Sequence, residues 1–129
     1  MNTKKTVLIA EDEIDMLEAL ALKFSSSGYE VYRANDGEEA LDCALRKKPD
    51  LLMLDILMPK IDGITVMKQI RNEKSWGSKV PIIILTNLND HESMMEAAEN
   101  KVFFLVKTDW KLEDVVELAD KKLAESDSI

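Results

Sequence analysis

The sequence predicts an α/β protein: a five-stranded parallel sheet wrapped on both faces by five helices. Two observations carry that expectation. Five short apolar runs alternate with segments whose apolar residues recur at helical spacing. Four of the runs are continuous rather than alternating, as strands buried on both faces require, and the second alternates.

Taken in order, Val7–Ala10 is the first strand, and it stops at Glu11-Asp12-Glu13. Ile14, Leu17, Leu20, Ala21 and Phe24 mark the first helix, with Gly28 closing it. Tyr29–Arg33 reads as the second strand, with Tyr29 and Val31 on one face and Tyr32 on the other. Asp36 caps the second helix, and Glu39 three residues on completes a capping-box pattern. Ala40, Leu41, Ala44 and Leu45 are its stripe, and Arg46-Lys47-Lys48 suits its negative end. Pro49-Asp50 breaks that helix before the strand Leu51–Leu54 and the aspartate Asp55. Asp62 caps the third helix, which carries Ile64, Met67 and Ile70. Val80–Leu85 is the fourth strand, ending at Thr86, with Pro81 near its start. A weak fourth helix carries Met94, Met95, Ala97 and Ala98. Val102–Val106 is the fifth strand, ending at Lys107. Leu112, Val115, Val116, Ala119 and Leu123 define the final helix, and Glu125–Ile129 is expected to fray.

A chain of 129 residues is expected to form one domain, with its core over about residues 4–123 and no output domain. A net charge of −8 argues against direct nucleic-acid binding, which needs clustered cations. No apolar run approaches the ~20 residues of a membrane span and no signal peptide is legible, so a cytoplasmic location is expected. Cys43 stands alone and reads as a small apolar helix residue. Trp76 and Trp110 read as covers of core edges or as partner surface, and His91 as solvated surface.

Strand ends of a parallel sheet share one edge, and that edge is where open α/β sheets place ligands. Here it collects Glu11, Asp12, Asp55, Thr86 and Lys107. Carboxylates about 4 Å apart repel by ~1 kcal/mol per pair in water and ~4 at an effective dielectric of about 20. Such a cluster takes up a proton or binds a cation. All-oxygen donors without His or Cys select a hard ion, and a partial set with open positions suits Mg²⁺. A metal beside a lysine and a hydroxyl makes a phosphate site, with one carboxylate available as the nucleophile.

These residues resemble those of the response-regulator receiver domains of bacterial two-component signalling, the CheY-like superfamily. The resemblance rests on the acid pair Glu11-Asp12, the D-x-x-M-P-x-x-D-G stretch Asp55–Gly63, Thr86 and Lys107. It implies a flavodoxin-like sheet of order 2-1-3-4-5. It also implies that Asp55 accepts a phosphoryl group from a sensor histidine kinase or a histidine phosphotransfer protein. Asp12 and Asp55 would hold Mg²⁺, Glu11 would act through water, and the Leu57 backbone carbonyl would complete the set. Thr86 and Lys107 would contact the phosphoryl oxygens. Thr86 and Phe104 would form the switch that re-shapes the face of the fourth helix, fifth strand and fifth helix. That face would bind a downstream protein target, and the domain would be a monomer or a phosphorylation-dependent dimer. Glu11 stands where Asp is usual, and Thr108 where Pro is usual, so a re-routed loop is expected after Lys107. Leu57 and Leu88 are bulky at positions that influence phosphate loss, so slow self-dephosphorylation is expected. A phosphatase of the haloacid-dehalogenase type needs an acid where Leu57 stands, and a phosphorylation-independent pseudo-receiver would not need the full acid–Thr–Lys set.

Overall fold

Continuous apolar runs can be satisfied only where both faces of a strand are covered, and the chain meets that demand with a parallel sheet. The strands are β1 (Thr6–Ala10), β2 (Glu30–Ala34), β3 (Leu51–Asp55), β4 (Ile82–Thr86) and β5 (Phe103–Val106). They pair in the order β2-β1-β3-β4-β5, each pair parallel. The helices are α1 (Ile14–Ser26), α2 (Gly37–Lys47), α3 (Gly63–Arg71) and α4 (Leu112–Asp127). This computed structural model describes residues 4–86, 95, 99, 101–107 and 110–127. The helix expected around Met94–Ala98 therefore lies outside the described residues, apart from Met95 and Glu99, which are helical. Four helices are described where five were expected.

Side-chain alternation sorts the sheet into two cores. Leu8, Leu52, Leu54, Ile82 and Ile84 pack with Ala40, Ala44, Val66, Met67 and Ile70 of α2 and α3. Val7, Ile9, Leu51, Met53, Ile83 and Leu85 pack with Leu17, Leu20, Phe24, Val115 and Ala119 of α1 and α4. Each fully buried Leu, Ile or Val contributes about 1.5–3 kcal/mol relative to exposure, which is why these strands tolerate no register slip.

The caps follow the sequence with small changes. The Glu39 N–H donates to Asp36 Oδ1 at 2.8 Å, and the Thr65 N–H donates to Asp62 Oδ1 at 2.8 Å. The Glu39 carboxylate, however, accepts from the Asn35 N–H rather than from that of Asp36. The capping box is thus displaced by one residue. Ser27 caps α1, and Gly28 follows it at φ 98°. β4 begins at Ile82 rather than Val80, because Pro81 has no N–H for the ladder, although its carbonyl accepts from Leu52 N. The final helix runs through Asp127, past the point where fraying was expected. Trp76 covers a core edge, and its indole N–H donates to the Pro49 carbonyl at 2.7 Å. Cys43 is half-buried against the α2–α3 core, and that burial raises its thiol pKa. Among the described residues no helix is long and apolar enough to cross a membrane.

Candidate functional site

Register decides which strand-end residues meet. Ala10 lies level with Leu54, Asp55 with Leu85, and Thr86 with Val106. Glu11, Asp55, Thr86 and Lys107 therefore emerge on one edge. The Glu11 N–H donates to Ala34 O at 3.0 Å, so the backbone stays on the sheet for one further residue. This buries Glu11 completely, while Asp12, the next residue, is exposed. Asp55 and Thr86 are buried as well.

One carboxylate oxygen from each of Glu11, Asp12 and Asp55 lies within 4.8 Å of the others. Lys107 reaches into this group. Its ammonium pairs with Glu11 Oε1 and stands 3.4 Å from Asp55 Oδ2. The second oxygen of Glu11, Oε2, is buried and meets no hydrogen-bond donor among the described residues. An orphaned buried carboxylate oxygen costs roughly 1–3 kcal/mol or more, so it marks a place where something binds.

The electrostatics point the same way. Burial, and then the hydrogen bond to Asp55, push the Glu11 carboxyl up to about 8, against the pull of Lys107. Burial pulls the Lys107 ammonium down, but the Glu11 hydrogen bond and the Asp55 and Glu11 charges outweigh it, and its pKa is raised. Lys107 therefore stays charged, and without a cation Glu11 keeps a proton at neutral pH. A hard divalent cation offers the alternative. Three oxygen donors, one of them unpartnered and one open to solvent at Asp12, fit Mg²⁺.

The loop after Asp55 is pinned from three sides. Gly63 sits so close to Asp55 that a Cβ there would lie 2.0 Å from the Asp55 carbonyl oxygen, and its N–H donates to Ile56 O at 2.8 Å. The N-terminus of α2 holds the other flank. Gly37 N–H donates to Pro59 O at 3.1 Å, and a Cβ on Gly37 would fall 1.7 Å from Ile61 O. Lys60, at φ 73°, pairs with Asp36 at 3.5 Å. Leu57 lies in this loop and is 59% exposed.

Phe104 lies level with Ile84 and packs, half-buried, against the α2–α3 core. By alternation it shares a sheet face with Thr86. Its neighbour Phe103 points the other way and is exposed. Trp110 packs beside α1 and α4 with its indole N–H buried and unpartnered among the described residues. Asn87, Leu88, His91, Asn100, Thr108 and Asp109 lie outside the described residues, and with them the loop after Lys107.

Two features escaped the sequence reading. Lys107 was expected to meet a phosphoryl oxygen, and its pairing with Glu11 was not foreseen. The contact of Gly37 with the Asp55 loop has no local signal in the sequence.

Comparison with known proteins agrees with the geometry. PhoP of Bacillus subtilis, an alkaline phosphatase synthesis transcriptional regulatory protein, is 45% identical over 82 residues, covering 64% of this chain and 33% of PhoP. Response regulator MprA of Mycobacterium leprae is 42% identical over 80 residues, covering 62% of this chain and 34% of MprA. The chain thus spans about a third of the length of the curated relatives it matches. The structure of the chemotaxis response regulator CheY4 of Vibrio cholerae superposes with a TM-score of 0.83 at 28% identity, covering 93% of this chain and 99% of that one. Residues 7–120 match the family model described as the response regulator receiver domain. With its acid cluster on the carboxyl edge of a 2-1-3-4-5 sheet, the chain belongs to the response regulator receiver domain family of two-component signalling, whose members are phosphoacceptor switches.

Proposed function

We propose that Asp55 accepts a phosphoryl group from a phosphohistidine on a sensor histidine kinase or a histidine phosphotransfer protein. The observation that carries this reading is the Lys107 ammonium 3.4 Å from Asp55 Oδ2, beside two further carboxylates. An Asp55 oxygen attacks phosphorus, the P–N bond to the donor imidazole breaks, and its electron pair returns to the ring nitrogen. Lys107 moves from Glu11 and Asp55 onto a phosphoryl oxygen and offsets its charge. The Thr86 hydroxyl donates to another. Asp12, Asp55, the Leu57 backbone carbonyl and Glu11 would hold Mg²⁺, with Glu11 acting through water. When bound, the ion supplies positive charge to the transferring group. Glu11 would give up its proton to solvent as a cation binds.

Thr86 then draws toward the phosphate and Phe104 turns into the space it leaves. The face formed by the expected fourth helix, β5 and α4 changes shape and binds a downstream protein target or a second copy of the domain. Output runs through protein contact. The net charge of −8 disfavours direct binding of nucleic acid by the domain itself. The domain assists its own phosphorylation and dephosphorylation without turning over a separate substrate, and the apolar Leu57 slows water attack on the acyl phosphate.

Incubation with Mg²⁺ and acetyl phosphate, followed by intact mass spectrometry, tests the reading. A single phosphoryl adduct that vanishes in Asp55→Asn is expected. No adduct on the folded protein, or steady phosphate release from unrelated monoesters, would overturn it.

A further inference from the structure

The opposite edge of the sheet carries the reverse charge. Between the end of α3, the starts of β4 and β5 and the last turns of α4 lies a cavity of about 500 Å³. Its lining holds four cations, Arg71, Lys79, Lys101 and Lys122, against one carboxylate, Glu125. The whole chain has 17 basic and 25 acidic residues, so this concentration of positive charge runs against the composition.

The cations are held in different ways. Arg71 donates to the carbonyls of Gly77 and Val80 at 2.9 and 2.7 Å and to that of Lys101 at 3.3 Å. It ties three chain segments into one wall. Lys122 is 14% exposed and preorganised: its ammonium stands 3.3 Å from the Phe103 ring centroid and 3.0 Å from Glu125. Lys79 and Lys101 are exposed at the rim, and Lys101 is held at φ 57°. The floor is apolar, made by Val80, Pro81 and Ile82. Lys79, Val80, Pro81 and Ser126 also line a neighbouring hollow of about 350 Å³ that Pro49, Asp50, Ser75, Trp76 and Leu123 complete.

We propose that this amino-edge cavity binds a small organic phosphate, its phosphate among Lys79, Lys101 and Lys122 and its organic part over the apolar floor toward Trp76. Size and lining fit small-ligand sites, which are concave, largely apolar and carry a few convergent polar groups. Phosphate is favoured over carboxylate by the donors. A guanidinium fork meets carboxylate and phosphate alike, and here Arg71 is turned onto backbone carbonyls. What the cavity presents instead is several ammonium groups from separate elements, point charges suited to a tetrahedral dianion. The site is independent of Asp55, which lies at the far end of β3.

The test is an NMR titration of the full chain in EDTA, so that the acid cluster holds no cation, with phenyl phosphate, inorganic phosphate and benzoate as probes. Phenyl phosphate should shift the Ile82, Lys101 and Phe103 amides saturably, and inorganic phosphate should bind there more weakly. The double variant Lys79→Glu, Lys101→Glu, altered only at exposed positions, should weaken phenyl phosphate by about tenfold or more. Its unchanged spectrum on the carboxyl edge would verify the fold. Benzoate binding as tightly as phenyl phosphate would overturn the phosphate preference, and inorganic phosphate binding equally would overturn the organic subsite. Shifts centred on Asp55 and Lys107, or binding unaffected by the double variant, would overturn the site.

Discussion

Two aspartates flank β3, and they live in opposite circumstances. At the amino end, Asp50 Oδ2 accepts from the Thr6 N–H at 2.9 Å and from the Thr6 hydroxyl at 3.1 Å. The Asp50 N–H in turn lies 3.0 Å from Thr6 Oγ1. The exchange is closed, and it joins the starts of β1 and β3. At the carboxyl end, Asp55 faces two more carboxylates and a single ammonium. Neutral donors satisfy the first aspartate and leave it a staple. The second sits in a field that needs a proton or a cation to balance it. A carboxylate closed on neutral donors holds structure, and one crowded by like charges is available for chemistry.

Lys107→Met should sharpen that contrast most. It removes the ammonium that meets Glu11 and Asp55 and leaves a buried carboxyl without its partner. Stability to urea in EDTA should fall by about 3 kcal/mol, and more at pH 9 than at pH 6, because Glu11 can take up a proton only at the lower pH. Saturating Mg²⁺ should recover part of the loss. The same melts check the wild-type pH dependence. The Glu11 carboxyl is raised from an ordinary 4.5 to about 8, so the folded state holds its proton more tightly than the unfolded chain. Its contribution is full below the ordinary value and is lost as pH rises through about 8. Mg²⁺ affinity, followed by calorimetry, should strengthen across that window as the ion displaces the proton. A pH-independent Mg²⁺ affinity would contradict the buried-proton account.

Gly37→Ala comes next. Its new Cβ cannot coexist with the Ile61 carbonyl, so the α2 terminus or the Asp55 loop must move. A loss of about 1–3 kcal/mol in thermal melts is expected, together with weaker Mg²⁺ binding although Gly37 is not a ligand. Asp50→Ala should cost about 1–2 kcal/mol and leave the yield of Asp55 phosphorylation unchanged. If phosphorylation fell as well, the two ends of β3 would not be separable. Lys60→Ala, which removes the solvent-exposed partner of Asp36, should leave the melting midpoint within experimental scatter.

Much of this molecule is legible along the chain. Apolar runs marked the strands to within two residues, as at Val80 against Ile82, and Asp36 and Asp62 marked their helix starts. These are local effects: burial of a contiguous run, or a side chain reaching an amide three residues on. Asp50 and Asp55 show where such reading ends, since both are aspartates beside the same apolar run and only their partners tell them apart. Those partners are distant in sequence, Thr6 for the one and Lys107 with Glu11 for the other. The Gly37 contact with the Asp55 loop and the cationic cavity at the amino edge are of the same kind.

The sequence by itself determined the alternation of strands and helices, the caps and the set of residues that end the strands, because periodicity and turn chemistry act over a few residues. The resemblance of those strand-end residues to a receiver domain supplied the strand order. Only the tertiary structure decided that Glu11 is buried with an orphaned oxygen against Lys107, that Gly37 braces the Asp55 loop, and that scattered lysines converge on the far edge. Burial and charge proximity are set by which segments the sheet register brings together, and no stretch of chain carries that information alone.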